Sequence, residues 1–307
     1  MTDNLILVDT FTRLAGLIGH PVGHSLSPYL QGRLASHMGI NMVYLGFDTE
    51  PGSLKEVIEG GIAMKAVGFN VTVPYKKEVM QYLTEVDPNA ARIGAVNTLK
   101  PKGDSFAGYN TDMPGFCRAL KYDGVDVKGR NVVMIGAGGA ANAVLCGLLE
   151  EGAKSVLILN RTVSSAEALA DRFRSDYPDR TIETMALTDD YISFMKRSEF
   201  ADSPWIAIQC TSVGMHPDDG NTAIKDDEFY KLTDIGYDVI FNPSETEFMK
   251  RIKACGGRAY NGLKMLIFQG FRSFEIWNDV VVEDGFASEL IPDMEEILRR
   301  NRTGERS

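Results

Sequence analysis

Apolar and polar positions change period along this chain. Short apolar runs alternate with stretches in which apolar residues recur every three to four positions, the pattern of strands alternating with helices. In the first third, Arg13–Ile18, Met42–Phe47 and Ala66–Val71 predict strands. Ser27–Met38 predicts a helix capped by Ser27, with Pro28 at its first position. Ser53 is expected to cap a second helix through Glu59, where Glu56 completes a capping box. Lys76–Leu83 predicts a third helix, and Val96–Lys100 with Ser105–Tyr109 a hairpin around Lys102-Gly103-Asp104. The pattern restarts with a helix at Met113–Asp123. Further strands are expected at Val132–Ile135, Ser155–Leu159, Trp205–Gln209, Val239–Phe241 and Arg258–Tyr260. Helices are expected between them near Ser164–Arg174, Asp189–Arg197 and Glu245–Cys255, then at Gly262–Trp277, and the tail after Arg299 reads as disordered. Repeated strand–helix units favour parallel sheets covered by helices, so the fold class is α/β.

One junction carries chemistry by its form. Val132-Val133-Met134-Ile135 runs into Gly136-Ala137-Gly138-Gly139-Ala140-Ala141, a strand, a glycine turn and a helix start. This is the grammar of a dinucleotide site: Gly136 makes the turn, Gly138 admits a pyrophosphate to the backbone, and the helix N-terminus offers free N–H groups. The next strand ends about 20 residues on, at Asn160-Arg161-Thr162, where the ribose-reading residue belongs. An acidic residue there would suit NAD. Asn160 is neutral and Arg161 can pair with a 2′-phosphate, so NADP is the expected cofactor, with NAD as the alternative.

Four polar, glycine-bearing turns precede this junction. His24-Ser25-Leu26-Ser27-Pro28 sets two hydroxyls before a helix, where they can hold a carboxylate or merely cap and turn. Asn70-Val71-Thr72-Val73-Pro74-Tyr75-Lys76 delivers Thr72 at a strand end and places Lys76 at the expected helix start, a poor place for a cation. Gly94-Ala95-Val96-Asn97-Thr98 and Gly108-Tyr109-Asn110-Thr111-Asp112 follow. Their Asn residues can be turn formers, and Asp112 can be an N-cap.

Composition narrows the possibilities. At 307 residues the chain has room for about two domains. Thirty-two basic residues against 42 acidic give a net charge of −10, so there is no general attraction for nucleic acid or anionic membranes, and any anionic ligand needs a local site. No 18-residue apolar run and no basic-then-apolar leader at Met1–Arg13 is read, so a cytoplasmic protein is expected. Cys117, Cys146, Cys210 and Cys255 form no CxxC pair and no metal-spaced cluster, so no metal is expected.

Taken together, Gly19-x-Pro21-x-x-His24-Ser25-x-Ser27-Pro28, Asn70-Val71-Thr72-x-Pro74-x-Lys76, Gly94-Ala95-Val96-Asn97-Thr98 and Gly108-x-Asn110-Thr111-Asp112 resemble, in order and spacing, the signatures of the shikimate dehydrogenase family. Gly136–Ala140, Asn160-Arg161-Thr162, Thr211-Ser212-x-Gly214-Met215, Asn242-Pro243-x-x-Thr246 and Gly262-x-x-Met265-Leu266-x-x-Gln269-Gly270 continue the likeness, which spans about Thr12 to Trp277. It implies two α/β domains with a cleft between them. The first is a substrate domain with a mainly parallel sheet, residues 1–112 completed by 264–307. The second is a Rossmann-like NADP domain, residues 113–263.

The resemblance also implies an activity, NADPH-dependent reduction of 3-dehydroshikimate to shikimate on the route to chorismate and the aromatic amino acids. Lys76 and Asp112 would be the catalytic pair. Ser25 and Ser27 would hold the substrate carboxylate, and Thr72, Asn97 and Gln269 its ring hydroxyls. Gly136, Ala137, Gly138, Gly139, Ala140, Asn160, Arg161, Thr162, Thr211 and Gly262 would hold the cofactor. The protein would act on a small molecule, as a monomer or homodimer, without nucleic acid or membrane partners. Two positions depart from the family pattern: Ser165 stands where NADP users often carry a second arginine, and Phe241 where many relatives have tyrosine. The same residues would serve a quinate/shikimate dehydrogenase using NAD or NADP. A non-catalytic metabolite sensor is the more distant alternative, for which the intact Lys76 and Asp112 would be superfluous.

Overall fold

The computed structural model describes residues 8–303. In chain order the elements are β1 (Arg13–Gly19), α1 (Ser27–His37), β2 (Met42–Asp48), α2 (Leu54–Ala63), β3 (Gly68–Val71), β4 (Glu85–Val86), α3 (Pro88–Ile93), β5 (Thr98–Lys102), β6 (Ser105–Tyr109) and α4 (Asp112–Tyr122). Then come β7 (Asn131–Ile135), α5 (Gly139–Glu150), β8 (Ser155–Asn160), α6 (Val163–Arg174), β9 (Thr181–Ala186), α7 (Tyr191–Met195), β10 (Trp205–Gln209), α8 (Asp227–Lys231), β11 (Thr233–Asp238), α9 (Glu247–Ala254), β12 (Arg258–Tyr260), α10 (Leu263–Asn278) and α11 (Ala287–Thr303). By contacts the chain forms two compact units: residues up to Gly115 with Ile267–Leu290, and Phe116–Leu266 with the chain from Ile291 onward. The divisions fall inside α4, α10 and α11.

The first unit is built on a six-stranded sheet in the order β2-β1-β3-β5-β6-β4. β1 pairs in parallel with β2 and β3, and β4 with β6, while the β5–β6 hairpin runs antiparallel. Ile18, Phe69, Val71, Val96, Leu99 and Phe106 form its core with Leu54 and Ile58 of α2. The second unit has six parallel strands in the order β12-β11-β10-β7-β8-β9. Read from β9, this is the doubly wound order whose switch point lies between the first and fourth strands, here β7 and β10. Its central strands are buried at every position, Asn131–Ile135 of β7 and Trp205–Gln209 of β10, as expected for a parallel sheet.

Several local expectations change. Lys76–Leu83 is not a helix: Val73–Lys77 is a turn, and only Glu78–Tyr82 coils, as a 3-10 helix. The misfit of a lysine at a helix N-terminus therefore does not arise. Ser27 is the first residue of α1 and makes no cap, and Ser25 Oγ instead accepts the Ser27 N–H at 3.1 Å. Ser53 precedes α2 but its side chain makes no cap bond. The strand expected at Val239–Phe241 lies wholly earlier, at Thr233–Asp238. There the alternation is hidden because Tyr237 and Asp238 are both fully buried. β9, α3, α8 and α11 are additional elements, and α11 carries the chain through Thr303. The last four residues of the tail expected to be disordered, and the first seven residues, lie outside the described residues. Among the described residues no helix is long and apolar enough to cross a membrane. None of the four cysteines forms a disulfide.

Candidate active site

In the first unit, the turn after β3 presents Lys76, and the first residue of α4 presents Asp112. Lys76 Nζ lies 2.6 Å from Asp112 Oδ2, with side chains 30% and 15% exposed. The pair is thus partly buried, with Lys76 the more exposed partner. Asp112 is free for this contact because it does not cap its own helix: Asn110 Oδ1 accepts the N–H groups of Asp112 and Met113 at 3.0 and 3.3 Å. The second oxygen, Oδ1, accepts from Asn97 Nδ2 at 2.8 Å. Asn97 Oδ1 accepts the Thr111 N–H at 2.7 Å, which fixes the amide's orientation. Lys76, Asp112 and Asn97 therefore form one constellation. Gln269 joins its edge, its Oε1 3.5 Å from Thr111 Oγ1.

Beneath these groups runs a buried polar layer that sequence reasoning missed. Asn70 Nδ2 faces Asn97 O, Thr98 Oγ1 and Ser273 Oγ at 3.1, 3.0 and 2.8 Å, and its Oδ1 accepts from Tyr44 OH at 2.8 Å. Ser273, fully buried on α10, also lies 2.8 Å from Thr98 Oγ1 and 3.1 Å from Thr111 Oγ1 and donates to Gln269 O. Burial pushes the Tyr44 phenol up, so it remains a donor, and its other hydrogen-bonding neighbour is the Ser27 side chain. The network thus runs continuously from Ser27 to Lys76. Asn70 was visible as part of a motif. Tyr44 and Ser273 were not, because nothing in an apolar strand or helix pattern marks a polar residue that points inward. Thr72 is half-buried at the end of β3, its methyl packed over Gly19. Gly270, beside Gln269, is held by Gln31 of α1, whose Nε2 donates to Gly270 O at 3.0 Å.

In the second unit, the turn after β7 sits at the switch point. Gly136 has φ +104°, and a Cβ there would stand 2.8 Å from Thr211 Cγ2 after β10, so glycine is required on both counts. Gly138 caps α5 with no side-chain bond. A Cβ at Gly138 or Gly139 would meet nothing within 4 Å. The start of α5 therefore has no side-chain cap and its glycines border open space, the setting in which helix N–H groups can meet an anion, with Ala137 and Ala140 flanking it. Asn160 ends β8 and its Nδ2 donates to Thr162 O at 2.9 Å, which shapes the turn that exposes Arg161. Thr162 precedes α6, again without a side-chain cap. Gly262 lies against Val239 and donates its N–H to Ile240 O at 3.0 Å. These residues fit a dinucleotide with a 2′-phosphate: an uncapped helix start for the pyrophosphate, an exposed guanidinium, and no carboxylate at the end of β8.

Known proteins resemble this chain over most of its length. A model of the shikimate dehydrogenase substrate-binding domain matches residues 17–99, and one of shikimate/quinate 5-dehydrogenase matches residues 119–192. The curated shikimate dehydrogenase (NADP(+)) of Caldanaerobacter subterraneus subsp. tengcongensis is 40% identical over 284 residues, 92% of this chain and 98% of that relative. Shikimate 5-dehydrogenase of Listeria monocytogenes, solved with shikimate and NAD, has a TM-score of 0.85 at 32% identity, covering 93% of this chain and 98% of that one. A shikimate dehydrogenase solved with NADP+ has a TM-score of 0.84 at 38% identity, over 94% of this chain and 97% of that one.

Proposed function

The chain belongs to the shikimate dehydrogenase family, and from that premise we propose that it catalyses the reversible, NADPH-dependent reduction of 3-dehydroshikimate to shikimate, a step toward chorismate and the aromatic amino acids. The observation that carries the reading is the Lys76–Asp112–Asn97 constellation, a cation and a carboxylate in contact and oriented from below. NADPH, when bound by the second unit, would supply hydride to the carbonyl carbon. Negative charge then develops on the carbonyl oxygen, and the Lys76 ammonium stabilises it and delivers a proton. Asp112 orients Lys76 through Oδ2 and accepts a substrate hydroxyl. In the oxidative direction the pair takes the proton back. Because Lys76 and Asp112 share one short hydrogen bond, the proton work belongs to the pair.

Ser25 and Ser27 receive the carboxylate at the start of α1, where hydroxyls and helix N–H groups substitute for a formal positive charge. Thr72, Asn97 and Gln269 hold the ring hydroxyls. Gly136–Ala140 cradle the pyrophosphate, with Thr211 and Gly262 on the same face, and Asn160-Arg161-Thr162 read the 2′-phosphate. On this reading the substrate domain is residues 1–112 with 264–307 and the nucleotide domain 113–263, except that by contacts the chain from Ile291 onward groups with the second unit. The protein works in the cytoplasm, in keeping with four cysteines that form no disulfide, and acts as a monomer or homodimer. One matching family model covers quinate as well as shikimate dehydrogenases, so quinate is the substrate to set against shikimate. Initial rates with shikimate and quinate, each with NADP and NAD, test the reading. Shikimate with NADP should be fastest, and a preference for quinate or for NAD would overturn the corresponding half.

A further inference from the structure

Under the loops that follow β10 and β11 lies a carboxylate that the mechanism does not use. Asp238, the last residue of β11, is fully buried. Its Oδ2 accepts from Thr246 Oγ1 at 2.6 Å and its Oδ1 from the Ile240 N–H at 3.0 Å, with Gln209 Nε2 at 3.4 Å from that same oxygen. Its partners are thus a hydroxyl and amides, with no cation among them. Burial without a counter-charge pushes its pKa up to about 7. A neutral acceptor would serve packing at lower cost, so a carboxylate kept here has a role to explain.

The partners show what it holds. Gln209, also buried, accepts the Thr211 N–H on Oε1 at 2.5 Å and points Nε2 at Thr211 O and Val213 O, each at 3.2 Å. Val239 donates to Gln209 O at 3.0 Å, and Gly262 donates to Ile240 O at 3.0 Å. Thr246 lies beneath Gly214, its Cβ 3.8 Å from where a Cβ on that glycine would stand. Three backbone segments, 211–214, 239–240 and 262, are therefore tied to one buried group. All follow strands of the β10–β11–β12 half. In a doubly wound sheet each half carries one nucleotide. Arg161, after β8, places the adenosine 2′-phosphate on the other half, so the Asp238 half faces the nicotinamide nucleotide.

We propose that Asp238 is a positioning residue for the nicotinamide half of the cofactor, fixing the 211–214, 239–240 and 262 backbone through Gln209, Thr246 and Ile240. The proposal rests on the cofactor reading above. Its test compares two ligands: NADPH, titrated by its fluorescence, and adenosine 2′,5′-bisphosphate, titrated by calorimetry, which carries the phosphates without nicotinamide. Asp238→Asn keeps shape and removes charge. Thr246→Val removes the donor, and Thr246→Ser keeps it. Asp238→Asn and Thr246→Val should each weaken NADPH roughly tenfold, the scale of a lost hydrogen bond to a charged group. Adenosine 2′,5′-bisphosphate should be unchanged, and Thr246→Ser should bind NADPH as the native protein does. If Asp238→Asn does not fold, the Thr246 pair decides alone. Equal weakening of both ligands, or no weakening of NADPH, overturns the proposal. A native protein that binds neither ligand overturns the cofactor reading, and this proposal with it.

Discussion

Replacing Asn70 by alanine should damage the substrate site from below, and the structure gives the size of the effect. The change removes the acceptor of Tyr44 OH and the donors facing Asn97 O, Thr98 Oγ1 and Ser273 Oγ. Asn97 O keeps the Val71 N–H at 2.9 Å, and Thr98 and Ser273 keep each other. The phenol of Tyr44 is the group left worst served, because it is 6% exposed and keeps, among the described residues, the Ser27 side chain as its hydrogen-bonding neighbour. Stranding a buried polar group costs about 1–3 kcal/mol, and the emptied volume adds more, so Asn70→Ala should cost about 3 kcal/mol. Ser273→Ala should cost only about 1 kcal/mol, since each of its neighbours has a second partner. Tyr44→Phe alone strands Asn70 Oδ1. In the double variant neither the phenol nor Asn70 Oδ1 remains to be stranded, so its loss should stay within about 0.5 kcal/mol of that of Asn70→Ala. Urea unfolding at constant m gives the energies. Because Asn97 is held by this layer, kcat/KM for shikimate in Asn70→Ala should fall by between about tenfold and 10²-fold, the penalty for a slightly misplaced site. Strict additivity of Tyr44→Phe and Asn70→Ala, or unchanged kcat/KM at a 3 kcal/mol loss, would refute the layered account.

Other expectations are equally direct. Arg161→Ala should raise the KM for NADP roughly tenfold or more while leaving NAD unchanged, because only the 2′-phosphate needs the guanidinium, and steady-state kinetics with both cofactors checks it. Ser25→Ala should weaken shikimate by roughly tenfold, yet leave the methyl ester of shikimate bound as before, since the ester carries no carboxylate charge. Asp238 makes a pH prediction. Its pKa is about 7 folded against about 3.9 unfolded, so between those values the folded chain binds the extra proton and stability falls as pH rises toward 7. Asp238→Asn removes that slope. Its unfolding free energy relative to the native protein should therefore climb by roughly 2–3 kcal/mol from pH 5 to pH 8, and a constant difference would show that Asp238 does not titrate there.

The parts of this molecule that were legible in the sequence share a cause: they depend on local backbone form. Gly136 needs a positive φ, and Ile135 before it and Ala140 after it announce a strand and a helix whatever surrounds them. The ordered turns carrying Ser25, Lys76, Asn97 and Asp112 were legible through their resemblance to a family. Tertiary contact decided the rest. The Lys76 turn reads as helix until Val96 N–H claims Lys76 O at 2.8 Å. Asp112 reads as a cap until Asn110 takes that role and frees it. β11 is shifted from its expected place because Tyr237 and Asp238 hide polar atoms in a strand interior. Ser273 lies 175 residues from Thr98, a separation that no local pattern spans.

The central claim is that Lys76 and Asp112 move the proton of a hydride-transfer reaction, and Lys76→Met tests it most directly. Methionine keeps the packing of the stem and removes the charge, so folding and chemistry separate. Shikimate oxidation should fall by roughly 10²–10⁴ in kcat, the range for losing general acid–base help. The melting transition should stay near that of the native protein, because Lys76 is partly exposed and bonds to one partner. The NADPH dissociation constant should not move. Near-normal turnover in folded Lys76→Met protein would contradict the account and send the search for the proton donor to another residue.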